Sequence, residues 1–287
     1  KFKYTLHLSQ VSTHTWYSKN VIVRFLSKIV VRNSSGIITM TEKAKQRLYK
    51  IKYLPSKNLI PKMVIGQPID TNIFKPFSKT QVANIKSKLC INEKTKIILF
   101  VGKITPQKGL HVLIKSLNIL NRQFNKDNFK LFVIGKTYTI KDDNYKEFLK
   151  KLIKKYDLNS KIEWLGYQSR EKIIQFYNIS NVLILPSIKL KKENTEAFGI
   201  VLVESMACQT PVIGSKLGGM KEIIKHIING FLFSPNNYCE LSKYINMILF
   251  DKNLEQKMGK NGRNYVINNY SFSAILNKYL DFYKSLI

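Results

Sequence analysis

The repeated succession of a short, largely apolar run and a longer stretch with helical spacing constrains this chain more than any other feature. Residues 97–101, 130–134, 162–165 and 182–185 are such runs, and the segments after them (109–124, 143–156 and 170–178) place apolar side chains three and four apart. Strands this short and this apolar are covered on both faces. Strands joined through helices pair in parallel, so the pattern predicts an α/β fold with a parallel sheet wrapped by helices. Residues 211–214 and 231–233 extend the series, the second after an Asn229-Gly230 pair that reads as a hairpin-type turn, and helices are expected near residues 200–208, 237–250, 262–269 and 271–285. The same alternation opens the chain. A strand over residues 2–6 delivers His7 at its carboxyl end, residues 19–32 read as an amphipathic helix, residues 36–40 and 63–65 as strands, and Thr41 caps a helix running towards Tyr49. Proline, glycine and polar residues then break the pattern at Gly66-Gln67-Pro68 and Phe74-Lys75-Pro76, which predicts a domain boundary within residues 66–78. A chain of 287 residues is long enough for two modest domains, each with its own core.

Composition narrows the function classes. The formal net charge is +30, and of the 48 basic residues only six are arginine. Lysine spread over the whole chain beside abundant Ile, Asn and Tyr fits an AT-rich genome as well as a polyanionic partner, and the partners left open are an anionic membrane surface and acidic substrates. Nucleic acid is not expected, because no helix-turn-helix, zinc-finger or RNP-type aromatic motif accompanies the charge. Cys90, Cys208 and Cys239 are far apart and lack metal-ligand spacing, so reduced thiols and a cytoplasmic setting are expected. No run of about eighteen apolar residues is present to span a membrane. The first residue is Lys1, and an upstream part of the protein is expected.

Two stretches carry chemistry. After the apolar run 97–101 come Gly102-Lys103 and, past a short polar loop, Lys108-Gly109 and a helix; a strand-to-helix turn with two lysines at a helix N-terminus suits a diphosphate. Gly135-Lys136-Thr137 looks like the end of a P-loop, but Lys130 stands where that motif requires glycine, so Gly135 is read as a strand-end turn. In the second stretch Glu196 and Glu204 lie eight positions apart, with Phe198-Gly199 opening a buried helix from Ile200. The free N–H groups of that helix suit an anion beside Glu196, and Glu204, set among Val203 and Met206, requires a hydrogen-bonding partner. The alternative is a capping acid followed by a salt-bridged one. Gly218-Gly219 provides either close approach of backbone to a ligand or an unusual turn. His7 faces a ligand crevice or is structural, His111 and His226 sit in helical stretches and read as structural, and the 19–32 helix packs on a sheet or touches a membrane. The apolar stripe Phe272, Ile275, Leu276, Tyr279 and Leu280 reads as core.

In their order, Phe100-Val101-Gly102-Lys103 with Lys108-Gly109, Leu165-Gly166-Tyr167, the run from Val182 to Pro186-Ser187, Glu196-Ala197-Phe198-Gly199 through Glu204, Pro211-Val212-Ile213, Gly218-Gly219 with Glu222, and Asn229-Gly230 resemble the retaining glycosyltransferases of the GT-B fold, family 4, the glycosyl transferases group 1. The resemblance covers nearly all of residues 60–287. It implies two Rossmann-like parallel-sheet domains facing a cleft, the first only partly present: residues 1–70 belong to the N-terminal, acceptor-side domain, residues 71–270 form the donor-binding domain, and residues 271–287 are a terminal helix crossing back. Carried over residue by residue, Lys103 and Lys108 would hold the donor diphosphate, and Glu196 would accept hydrogen bonds from the donor sugar. Gly102, Tyr167, Phe198, Gly199, Ile200, Gly218 and Gly219 would line the donor, Glu204 would bind the ribose hydroxyls, and His7 would touch the sugar. Lys103 stands where arginine is commoner, Gln209 where the family usually has glycine, and Gly66-Gln67 where it has Asn-Gly.

The implied reaction moves a sugar from a nucleotide-diphosphate sugar to a glycan or lipid-linked acceptor in cell-envelope or polysaccharide biosynthesis, with retention and without a metal or other cofactor. Peripheral attachment at the cytoplasmic membrane face is compatible with it. The alternatives are a GT-B nucleotide-sugar epimerase and a module that only binds nucleotide or an anionic membrane.

Overall fold

The computed structural model describes residues 5–8, 21–42, 45–46, 62–123, 128–190 and 198–286. The chain divides into two compact units, Lys1–Ile69 with Asn269–Ile287, and Asp70–Asn268.

In the first unit β1 (Thr5–Leu8), β2 (Gly36–Thr39) and β3 (Lys62–Val64) form a parallel sheet in the order β1-β2-β3. All four residues of the central strand β2 are buried. His7 pairs with Ile38 inside β1 instead of following its end, so the strand sits later than the apolar run suggested. Helix α1 (Val21–Asn33) buries Val31 but leaves Val21, Ile22, Phe25, Leu26, Ile29 and Val30 exposed, so packing on a sheet accounts for only part of its apolar surface. Of the helix expected after Thr41, Glu42, Lys45 and Gln46 are described and helical.

At the far end of the sequence the N–H of Ile69 donates to the Tyr270 carbonyl at 2.8 Å. The last helix of the chain, Phe272–Lys284, is capped by the Ser271 hydroxyl. The stripe expected to be core is instead largely outside: Phe272, Leu276 and Leu280 are exposed, and the buried side chains are Ile275 and Phe282. Gly36 sets this rotation. A Cβ there would lie 2.9 Å from the Phe282 ring, so the bare Cα of β2 is what admits that ring.

The second unit is a six-stranded, wholly parallel sheet in the order β6-β5-β4-β7-β8-β9: β4 (Lys96–Val101), β5 (Phe129–Ile134), β6 (Ile162–Gly166), β7 (Val182–Leu185), β8 (Val212–Ser215) and β9 (Gly230–Phe233). Its helices are α2 (Lys79–Lys88), α3 (Leu110–Gln123), α4 (Ile140–Lys155), α5 (Arg170–Ile179), α6 (Ile200–Ala207), α7 (Met220–Ile223), α8 (Tyr238–Phe250) and most of α9 (Lys252–Tyr270); the Phe272–Lys284 helix is α10. Ile98, Phe100, Val133 and Ile184 from the strands pack with Leu113, Leu117 and Ile245 from α3 and α8 in one continuous core. The first strand, β4, is flanked by β5 on one side and β7 on the other. The strand order therefore reverses between β4 and β7, and in open parallel sheets ligands bind outside the carboxyl ends at such a point.

Three sequence expectations need correction. Asn229-Gly230 is no hairpin: β9 runs parallel to β8, buried Asn229 bridges the Lys225 N–H (2.7 Å) and the Ile223 carbonyl (3.2 Å), and a Cβ on Gly230 would lie 2.6 Å from the Val212 oxygen. Because α7 ends at Ile223, His226 lies outside a helix, where its Nδ1 accepts the Leu232 N–H at 3.0 Å. Helix α9 begins at Lys252, well before residue 262. Gly259 and Gly262 look like breaks in sequence, yet they serve close packing, a Cβ on Gly259 falling 2.1 Å from the Gln209 oxygen.

The later turn of the boundary segment, Phe74-Lys75-Pro76, is fixed within the second unit. The Arg263 guanidinium donates to the carbonyls of Ala207 and Phe74, and Asn178 accepts the Phe77 N–H at 2.6 Å while donating to the Lys75 carbonyl at 3.2 Å.

Candidate functional site

The loops at the β4/β7 reversal are joined through their backbones. Beyond Gly102 a short 3-10 turn, Pro106–Lys108, leads to Gly109, which adopts a left-handed φ of +68°. A Cβ on Gly109 would lie 1.9 Å from the Pro186 oxygen, and the Ile188 N–H donates to the Gln107 carbonyl at 2.8 Å. Only glycine permits that approach, so the basic loop after β4 is seated against the loop after β7. The Lys108 stem lies back over Gly102: its Cε and Cδ are 3.8 and 3.9 Å from where a Cβ would stand. Lys108 is thus directed to the carboxyl end of β4.

Lys103 is on the same edge, with Nζ 4.9 Å from the centre of the Tyr138 ring. Lys136 approaches the same ring at 5.2 Å and the Tyr167 ring at 5.6 Å. Both tyrosines are exposed, and the backbones that carry them are in register, Gly135 N–H donating to the Gly166 carbonyl at 2.8 Å. Sequence reasoning passed over Lys136 and Tyr138 by treating Gly135 as a turn alone. The available signal was their place directly after β5, the strand paired with β4, which puts them on the edge that carries Lys103.

On the other side of the reversal Gly199, at φ +86°, opens α6 with no side-chain cap. A Cβ on Gly199 would meet Leu185 at 3.4 Å and Met220 at 3.6 Å, which sets buried Phe198 and Gly199 between the end of β7 and the Gly218-Gly219 turn, with Ile200 next in line. Gly218 is left-handed at φ +51° and Gly219 right-handed, so the pair makes a tight turn into α7. Glu196 lies outside the described residues, as does the side chain of His7.

Glu204, on α6, has the partner that its burial demands. The Tyr177 hydroxyl on α5 donates to Oε2 at 2.7 Å. Burial raises the Glu204 pKa above the usual carboxylate range, against the opposing pull of the Tyr177 hydroxyl and the Arg170 charge. Burial and the neighbouring carboxylate in turn push Tyr177 well up, and the Cys208 thiol up to about 12, so both stay neutral. The Arg170 guanidinium stacks over Phe74 at 4.8 Å. His111 behaves as a structural residue, its Nδ1 2.8 Å from the Tyr145 hydroxyl, which also accepts the His111 N–H. Among the described residues no three His, Cys, Asp or Glu side chains are grouped to hold a metal ion, and no helix is long and apolar enough to cross a membrane.

The edge therefore presents three lysines, an uncapped helix start and glycine turns, which suit phosphate, together with a half-buried carboxylate able to accept hydrogen bonds from hydroxyl groups. The family model described as glycosyl transferases group 1 matches residues 81–265. An uncharacterized glycosyltransferase of Methanocaldococcus jannaschii is 28% identical over 254 residues, covering 88% of this chain and 60% of its own length. The lipopolysaccharide 1,2-N-acetylglucosaminetransferase of Salmonella typhimurium is 29% identical over 198 residues, 68% of this chain and 50% of its own. The chain thus spans 60% or less of the length of these relatives. Among solved structures, Anabaena HepE in complex with UDP superposes with a TM-score of 0.83 at 20% identity, covering 99% of this chain and 72% of that one. The fold is GT-B, and with the family model spanning most of the second unit, this chain belongs to the glycosyl transferases group 1.

Proposed function

We propose that the protein to which this chain belongs transfers a sugar from a nucleotide-diphosphate sugar to a glycan or lipid-linked acceptor, with retention at the anomeric carbon and without a metal ion. The observation that carries this reading is the seat of Lys108, laid over Gly102 at the strand-order reversal by a loop that only Gly109 allows. The comparisons support it: one relative is a lipopolysaccharide 1,2-N-acetylglucosaminetransferase, and one protein of the same fold has been solved with UDP. As the bond from the anomeric carbon to the diphosphate breaks, positive charge grows on the sugar ring and negative charge on the leaving diphosphate, while the acceptor oxygen bonds to the same face and passes its proton to the departing diphosphate oxygen. Lysines and helix N–H groups already aimed at the diphosphate stabilise that developing charge more than the ground state. Lys103 and Lys108 supply the charge that a divalent cation would otherwise bring. Glu196 acts by positioning the sugar. Peripheral contact with an anionic membrane belongs to the same reading, favoured by the exposed apolar residues of α1 in a protein of charge +30.

The test uses the intact protein. Lys108→Ala and Glu196→Ala should each lower turnover by about tenfold or more while leaving the melting temperature in place, and the product should keep the donor's anomeric configuration by NMR. Unchanged turnover in either variant contradicts the site. Release of a free sugar in place of a glycoside supports the epimerase.

A further inference from the structure

Tyr177 is fully buried, and its hydroxyl has exchanged water for one bond, 2.7 Å to Glu204 Oε2. Its backbone and its ring each have a neighbour. The Thr210 hydroxyl donates to the Tyr177 carbonyl at 2.6 Å, and the Phe74 ring lies 6.4 Å away at 50°. Phenylalanine would fill this space as well, so the hydroxyl serves the carboxylate and not the packing. A carboxylate can accept about four hydrogen bonds. Among the described residues Tyr177 supplies the only one that Glu204 receives, and none of them donates to Oε1.

We infer that Tyr177 is a positioning residue, whose buried hydroxyl holds Oε2 of Glu204 so that Oε1 is presented to the vicinal hydroxyls of the nucleotide's ribose. This rests on the nucleotide-sugar reading above and adds a residue to it. The vicinal diol offers two donors to an oxygen fixed in place, and fixing it beforehand removes the rotamer cost of binding. The diol donates, so the carboxyl must be ionised to accept. The groups that face Glu204 are Tyr177 and Arg170 from α5 and the neutral Cys208 thiol after α6, itself faced by Arg263 of α9. Of these, the Tyr177 hydroxyl and Arg170 favour the ionised form against burial. Losing the hydroxyl therefore moves the protonation of Glu204 to higher pH.

Calorimetric titration of the chain with UDP, GDP and ADP identifies the nucleotide bound by the native sequence, and Tyr177→Phe is then titrated with that nucleotide. The expected result is a Kd raised about tenfold, as for a lost hydrogen bond to a charged group, with a deficit that widens as pH falls. In a Glu204→Gln background Tyr177→Phe should add nothing, and in the intact enzyme the loss should fall on KM and not on kcat. An unchanged Kd, or a loss equal at every pH and additive with Glu204→Gln, overturns the inference and leaves the donor site standing. Failure of the native chain to bind any of the three nucleotides overturns the donor site and the inference with it.

Discussion

Glu204 carries opposing demands at the scale of a single residue. The proposed ribose contact needs its anion, while burial favours the neutral acid. A carboxyl whose pKa is raised on folding binds more protons in the native state than in the unfolded chain, so it costs stability as pH rises through the unfolded value towards the native one. Below both values that cost is absent. Glu204→Gln should accordingly make the nucleotide-free chain more stable than the native sequence at pH 7, with the gap closing as pH falls through the carboxylate range. Urea unfolding at a series of pH values reads this directly, and a variant less stable at neutral pH, with a gap that does not depend on pH, contradicts it. The need for a partner was legible in sequence, because a carboxylate among Val203 and Met206 must have one. That the partner is Tyr177 was not, because the two residues lie 27 positions apart on helices that only the fold brings together.

Among the elements, the α6 terminus shows how a local rule reaches a distant helix. Gln209 follows the C-cap of α6 with φ +63°, a left-handed position where a side chain is strained and glycine is not. The same residue offers its carbonyl to the bare Cα of Gly259 in α9. Gln209→Gly should therefore stabilise the chain by roughly 1 kcal/mol, relief of the left-handed strain outweighing the greater freedom of glycine in the unfolded state; chemical denaturation would show it as a higher midpoint at unchanged slope. A lower midpoint would mean that the glutamine side chain holds the turn. The strands of the second unit were readable to within a residue or two because, apart from the edge strand β6, their apolar runs are buried on both faces. Helix boundaries were less so where glycine serves tertiary contact: Gly259 and Gly262 hid the first half of α9, and Gly36 rotated α10 by admitting Phe282. Period and propensity describe one element at a time, and those glycines answer to another.

For the whole molecule, Lys103, Lys108, Tyr167, Glu204 and the Gly218-Gly219 turn all belong to the unit Asp70–Asn268, whose boundary segment is held inside it by Arg263 and Asn178. A protein trimmed to residues 70–268 should fold cooperatively and bind nucleotide with the affinity of the longer chain, as judged by a single denaturation transition and matching calorimetric titrations. Loss of affinity with an intact transition would show that residues outside this unit take part in holding the nucleotide. A nucleotide-sugar donor site in this unit is tested by thermal stabilisation of the chain with UDP, GDP, ADP and their sugars, repeated with Glu204→Ala. At a hundred times its Kd the correct nucleotide should add about 2.7 kcal/mol of stability. That shift is expected for one base and lost in the variant; no shift with any of them in the native chain, or a shift that survives Glu204→Ala undiminished, would contradict a donor site here.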